Sequence, residues 1–374
     1  MQYGPFPQNP GASQPPLRPT PPRPRGTAAF WVAIILGILL LLSLALNMIS
    51  FHPLLFKSKD AVAEVLDRQY GDPEAQNKIA VITVEGTLTY EDPQTLLGKT
   101  LGPVSFLRKQ LAKAKADEDV KAVIIEINSP GGTVSASDEM HHMIKQFKEE
   151  KGVPVVVFMK EVAASGGYYI AAGADRIVAT HTTITGSIGV IMMMVDVSGA
   201  MDYLRIKMTP IKSGEWKDAG SPFRKMSEKE REYLQNIVNS FYNRFVGIVF
   251  DGRKMKGNWE KPEDVEPIAD GRIYTAEEAK ENGLIDEIGY FEEAYKAAID
   301  LMPGIGKARV VRYRQIQQST LPFMFNSATP GTGDVNLVKI DAGDLASLPP
   351  SRFLYMWQPG IWSENENEEN KQNE

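Results

Sequence analysis

The apolar positions of this chain follow more than one rhythm. From Ala28 to Ile49, AAFWVAIILGILLLLSLALNMI, 22 consecutive positions carry no charge. A helix of that length measures ~33 Å at ~1.5 Å per residue, enough to cross a ~30 Å hydrocarbon layer. The apolar part of a cleaved signal peptide is shorter, ~7–15 residues, so the run predicts an uncleaved transmembrane anchor over 28–50. Phe30 and Trp31 stand where interfacial aromatics belong; Arg18, Arg23 and Arg25 precede the run, and Lys57 and Lys59 follow it. That balance of basic residues predicts a cytoplasmic N-terminus at the cell membrane, with the bulk of the chain extracytoplasmic.

On either side of the run the patterning weakens. Residues 1–27, with PPLRPTPPRPR at 15–25, hold too little apolar surface to offset the entropy of ordering, so a disordered tail is expected. Residues 51–77, containing DAVAEVLDRQY, read as a partly helical stalk. From Lys78 onward strands and helices alternate. KIAVITVEG (78–86), VKAVIIEIN (120–128), VPVVVFM (153–159) and a segment near 175–184 have the composition of strands. Helical spacing marks 105–117, 135–151 and 166–173. Nearly continuous apolar strands alternating with helices predict an α/β fold with a buried, largely parallel sheet and helices around it. Ser227 and Glu230 form a capping box that opens a long helix over 227–253. After a further helix at 291–300 regularity fades. The folded core is therefore expected over 78–303, and a C-terminal extension over 304–374 ends in the polar tail SENENEENKQNE.

Composition narrows the chemistry. The chain has no cysteine, which removes thiol nucleophiles, Fe–S clusters and thiolate zinc sites together. Its histidines are His52, His141, His142 and His181, and none lies in an H-E-x-x-H pattern, so neither a metal nor another cofactor is expected. The net charge of −6, with no Lys/Arg stripe, gives nucleic acid nothing to bind.

Three segments carry candidate chemistry. NSPGGTVSASDE (128–139) places a Pro-Gly-Gly turn between a strand and a helix, where bare amides can hold an oxyanion. EVAASGGYYIAAGAD (161–175) places Ser165 among small residues at a helix start. A serine there is either a nucleophile or simply an N-cap. IKSGEWKDAGSPFRKMSEKE (211–230) carries Lys217 in an irregular loop. A lysine can serve as general base in place of histidine when burial and neighbours lower its pKa to ~7–8.

These segments, together with TGSIGVI (185–191), resemble signal peptide peptidase A in its short, single-repeat bacterial form, over about 78–303. The resemblance implies a ClpP/crotonase-like serine protease domain with a Ser–Lys dyad. It assigns Ser165 as nucleophile, Lys217 as base, Ser187 as the hydroxyl that orients Lys217, and the Gly132 amide as oxyanion donor. It further implies peptide substrates, cleaved signal peptides among them, and a ring- or bowl-shaped homo-oligomer. Ile188, Val190 and the Met192–Met194 run are expected to line substrate pockets. Whether Ser165 and Lys217 meet within one subunit or across an interface is not readable from their spacing. The apolar SRFLYMWQPGIW (351–362) suggests a tail lying in a substrate groove of its own assembly. Two other readings stand beside the protease. One is an acyl-CoA enzyme of the crotonase type, whose acid/base groups are usually carboxylates. The other is a non-catalytic membrane scaffold, which would be expected to lack Ser165 or Lys217.

Overall fold

The computed structural model describes residues 27–55, 62–95, 98–315 and 353–357; the expected N-terminal tail and most of the C-terminal extension lie outside them. Two units separate at Lys59/Asp60. The first contains helix α1 (Thr27–Leu55), whose described side chains, from Phe30 to Ala45, are mostly exposed. Among the described residues no helix is long and apolar enough to cross a membrane.

The second unit is built on a sheet of nine strands among the described residues. In chain order it brings β1 (Val62–Gly71), β2 (Lys78–Glu85), the short pair β3 (Gln94–Thr95) and β4 (Gly98–Lys99), and α2 (Pro103–Ala116). Then follow β5 (Val120–Ser129), β6 (Gly131–Thr133), α3 (Val134–Lys151), β7 (Val155–Ala164), α4 (Gly166–Ala171), β8 (Arg176–Ala179), β9 (Ile184–Gly186), β10 (Ile191–Met192) and α5 (Ser198–Tyr203). Helix α6 (Glu228–Gly257), β11 (Ile273–Tyr274), α7 (Ala276–Glu281), β12 (Glu287–Ile288), α8 (Phe291–Asp300), β13 (Arg309–Gln315) and β14 (Phe353–Met356) complete the unit. The main sheet runs β1-β13-β2-β5-β7-β8-β12, with β9 added beside β7 and β11 beside β9. From β13 to β12 its main path is parallel. The strands are apolar on both faces because both are covered: Ala80, Ile82, Val123 and Ile125 enter the larger core, while Ile79, Val81, Ile124 and Val156 pack with Phe291 and Ala294 of α8.

The stalk expected over 51–77 is not what forms at its C-terminal end. Val62–Gly71 is an edge strand that pairs antiparallel with β13, and β13 comes from the segment expected to be extension. The reason is long-range. The alternation in VAEVLDRQYG fits either period, and its partner lies far downstream, invisible to a local reading. Ion pairs fix the added strands: Arg312 contacts Asp67 and Glu126, each at 2.6 Å, and Lys78 contacts Glu64 at 2.9 Å. The predicted capping box is present, with Ser227 and Glu230 bonding reciprocally at the start of α6. Farther along that helix, Arg253 and Asp286 form a nearly solvent-free pair at 2.8 Å, and Tyr168 donates to the Leu284 carbonyl at 2.9 Å.

His141 of α3 is buried against Tyr169, ring centroids 5.4 Å apart, with no partner for Nδ1 among the described residues. Burial pushes its pKa down to about 4, against a smaller upward pull from Asp138. The unfolded chain therefore takes up this proton at higher pH than the folded one. The stability conferred by neutral His141 is whole above 6.5 and drains away as pH falls toward about 4. The loss is on the order of 3 kcal/mol. A His141→Leu chain should lose less stability than the wild type between pH 7 and 4 in denaturant unfolding. Parallel curves would discard the assignment.

Candidate active site

The sheet sets two serines side by side. Strands β7 and β9 are parallel, with Ala163 opposite Thr185 and Ala164 opposite Gly186. The next residue on each strand is a serine, Ser165 and Ser187, and both leave the sheet with positive φ, 52° and 49°. A non-glycine residue in this region is uncommon and strained by about 1 kcal/mol or more, and such strain gathers at functional sites. Backbone bonds hold both in place: the Ser165 amide donates to the Gly186 carbonyl at 2.8 Å, and the Ser187 amide to the Arg272 carbonyl at 2.7 Å. Ser165 stands in the N-cap position of α4, yet its side chain makes no capping bond. The helix does not consume the hydroxyl, which argues against the plain cap reading. Only 1% of Ser165 is exposed.

The Pro-Gly-Gly turn comes down onto the residue after Ser165. Gly131 has φ +99°, and a Cβ there would stand 2.6 Å from the Gly166 nitrogen. A Cβ on Gly132 would stand 2.1 Å from the Leu88 carbonyl oxygen. Neither position can carry a side chain while the chains are this close. Ser129 locks the turn by donating to the Gly86 carbonyl at 2.7 Å and accepting from the Gly131 amide at 3.1 Å.

A peptide strand already lies along this turn. β14 is the middle strand of a second sheet, β10-β14-β6, with Tyr355 opposite Gly132, Leu354 opposite both Thr133 and Ile191, and Phe353 opposite Met192. The Tyr355 carbonyl oxygen is 2.0 Å from where a Gly131 Cβ would be and 3.0 Å from where a Gly166 Cβ would be. A main-chain carbonyl thus rests over the Gly131 and Gly166 backbone, one residue from Ser165. The groove between β6 and β10 accepts an extended peptide.

Lys217 is placed differently. It lies on a single 3-10 turn, Glu215–Asp218, and is exposed. Among the described residues no hydrogen bond joins its ammonium to Ser165 or Ser187. The turn is nevertheless firmly anchored to the start of α6. Asp218 accepts from Lys212 and Arg224, Arg224 also bonds Glu230, and Trp216 packs on Tyr233 at 5.0 Å between ring centroids. Arg224 and the Ser227 amide hold the Glu230 carboxyl down to about 2. The arm leading to it shows apolar residues to solvent: Tyr203, Leu204, Ile206, Met208 and a completely exposed Ile211.

The expected pocket residues separate. Ile188 is fully buried in the core, Val190 is half-buried against it, and Met192 reaches β14. The sequence reading missed Leu88, which brackets Gly132 from the far side, and Tyr169 and Phe245, which enclose the Tyr355 ring. The only signal for the last two was aromatic residues at helical positions, which any core would explain.

Residues 147–302 match the model of peptidase family S49. A Synechocystis protein named as a protease is 39% identical over 200 residues, 53% of this chain and 70% of its own length. The chain belongs to peptidase family S49. The matched stretch contains Ser165, Ser187 and Lys217, and Gly132 precedes it. An Enterococcus faecium protein named for signal peptide peptidase SppA is 39% identical over 231 residues, 62% of this chain. Protease 4 of Haemophilus influenzae is 34% identical over 252 residues, 66% of this chain. The chain spans 65% of the length of the Enterococcus protein and 38% of the Haemophilus protein.

Proposed function

We propose that this S49 chain is a membrane-anchored serine endopeptidase that cleaves extended apolar peptides, spent signal peptides among them, through a Ser165–Lys217 dyad. One observation carries the reading: a strand of the chain's own backbone lies between β6 and β10 with its carbonyl over the Gly131–Gly166 backbone beside Ser165. In the proposed reaction a substrate takes that strand's place. Lys217 Nζ removes the Ser165 proton as Oγ bonds to the substrate carbonyl carbon. The resulting oxyanion is held by the Gly132 amide and, from its position after the nucleophile, the Gly166 amide. Lys217 returns the proton to the leaving amine as the peptide C–N bond breaks. Water then repeats the sequence on the acyl-enzyme and frees Ser165.

A lysine serves as a base where burial disfavours its charged form. Lys217 is exposed in the single chain and sits on an arm of exposed apolar residues, which favours a dyad completed between subunits. On this reading a neighbour covers the arm in a homo-oligomer, desolvates Lys217 and supplies the serine. The 28–50 run supplies the anchor, with the catalytic unit on the extracytoplasmic side of the cell membrane.

The strand in the groove competes with substrate. If it occupies the groove nine-tenths of the time, a chain lacking residues 345–374 gains about tenfold in kcat/KM. The test is hydrolysis of a fluorogenic apolar peptide by the full and the shortened chain. Faster cleavage by the shortened chain supports the reading, equal rates remove the tail from the groove, and no cleavage by either overturns the peptidase.

A further inference from the structure

The turn that carries Lys217 is tied at every other position. Lys212 donates to the Glu215 carbonyl at 2.9 Å and to the Asp218 carboxylate at 2.5 Å. The Glu215 carboxylate accepts from Lys229 at 3.2 Å, and the same ammonium stands 5.2 Å over the Trp216 ring. Among the described residues the Lys217 side chain makes no hydrogen bond, ion pair or ring contact. The centre of the ties is Arg224. Its Nε donates to the Asp218 carboxylate at 3.1 Å and its Nη2 to the Asp218 carbonyl at 3.0 Å. The same guanidinium grips Glu230 with both arms, at 2.8 and 2.5 Å. The Asp218 and Glu230 side chains are 14% and 8% exposed, so the clasp is closed while Lys217 stands in solvent. Glu230 belongs to the capping box of α6, and apart from Glu230 burial in that helix begins at Phe245. From Glu228 to Phe245 the helix runs ~26 Å at ~1.5 Å per residue. The backbone beside Lys217 is thus referred to the core through Arg224 and this strut.

We propose that Arg224 is a positioning residue for the reaction: by fixing both the carboxylate and the carbonyl of Asp218 to the first turn of α6, it sets where Lys217 Nζ meets Ser165. The proposal rests on the reading of Lys217 as base. A guanidinium has five N–H donors spread over a rigid plane, so it can serve two carboxylates and a carbonyl together. An ammonium has its three donors on one atom and cannot span both ends of the clasp. Isolated surface ion pairs contribute little, but a two-pronged pair inside a network fixes geometry. Geometry is what a nucleophile and its base need, since ~1 Å of misplacement can cost ~10²-fold in rate.

The test uses the full-length protein and a fluorogenic apolar peptide, with Arg224→Gln, Arg224→Lys, Lys217→Ala and the Arg224→Gln/Lys217→Ala double variant side by side. Arg224→Gln is expected to lower kcat about 10²-fold while KM stays within about twofold of the wild type. Arg224→Lys, which keeps the charge and one end of the clasp, should lose about tenfold. In the Lys217→Ala background Arg224→Gln should add nothing, because a residue that acts only through Lys217 has nothing left to position. Four results would each overturn the positioning role and leave the dyad standing: a further loss in that background, a KM that rises as much as kcat falls, an unchanged kcat, or a variant whose sedimentation departs from the wild type. A Lys217→Ala chain that cleaves at the wild-type rate would overturn the dyad and this role with it.

Discussion

Co-assembled Ser165→Ala and Lys217→Ala chains are expected to regain peptidase activity that each variant alone has lost. On the proposed mechanism each single substitution removes one half of a nucleophile–base unit, and such losses reach ~10³-fold or more because the remaining partner has nothing to act with. The two halves sit on differently built parts of the chain. Ser165 is rigid and buried, gripped by β7, β9 and the Gly131 turn. Lys217 is exposed on an arm whose anchor is the start of α6. If the arm of one subunit reaches the serine of the next, as in a head-to-tail ring, a mixed assembly contains some junctions with an intact serine facing an intact lysine. Random assembly of equal amounts makes that about one junction in four, so about a quarter of the wild-type rate should return. A dyad formed within one chain predicts no recovery, because every chain then carries one broken half. Co-expression with two different affinity tags, followed by tandem purification, gives the assembly on which to measure it.

What sequence could foresee of this site divides along the range of the interactions. Segments whose structure is set by neighbours within a turn or two were readable: the Ser227–Glu230 capping box, the buried parallel strands, and the glycines that let backbone approach backbone. The special conformation of Ser165 was only half readable. Small neighbours pointed to close approach, but the unused capping position and the twin positive φ of Ser187 depend on the β7–β9 register. Everything resting on distant pairing was opaque. Val62–Gly71 read as stalk because β13 is far away in sequence, and Leu88 carries no motif although it flanks Gly132. The segment 351–362 was conspicuous for being apolar within a polar extension, and its strand does lie in a groove beside Ser165. The Tyr169–Phe245 pocket was hidden for the opposite reason, since a helix aromatic in a pocket looks like one in a core.

With the Gly132 amide as oxyanion donor, as proposed, replacing Gly132 by alanine is expected to cut kcat by about 10²- to 10³-fold, the range seen when one such donor is lost. The added methyl would stand 2.1 Å from the Leu88 carbonyl oxygen, 2.5 Å from its nitrogen and 2.6 Å from its carbonyl carbon. These are backbone atoms, so no side-chain rotation relieves the contact. Either Leu88 or the 131–133 strand must move. Leu88 is held by two backbone bonds, its amide donating to the Gly131 carbonyl and its carbonyl accepting from the Thr133 amide, both at 2.9 Å. Thr133 in turn caps α3 through Ala136. Displacing Leu88 breaks its bonds to the turn, and displacing the strand shifts the Gly132 backbone out of its register with Tyr355. The registers of the nine-stranded sheet do not include Gly132, so the main fold should survive. A short peptide should therefore show a fall in kcat well beyond any rise in KM, with Ser165 still present and the far-ultraviolet spectrum unchanged. A Gly132→Ala chain that cleaves at the wild-type rate would remove the turn from the chemistry and return the oxyanion role to the Gly166 amide alone.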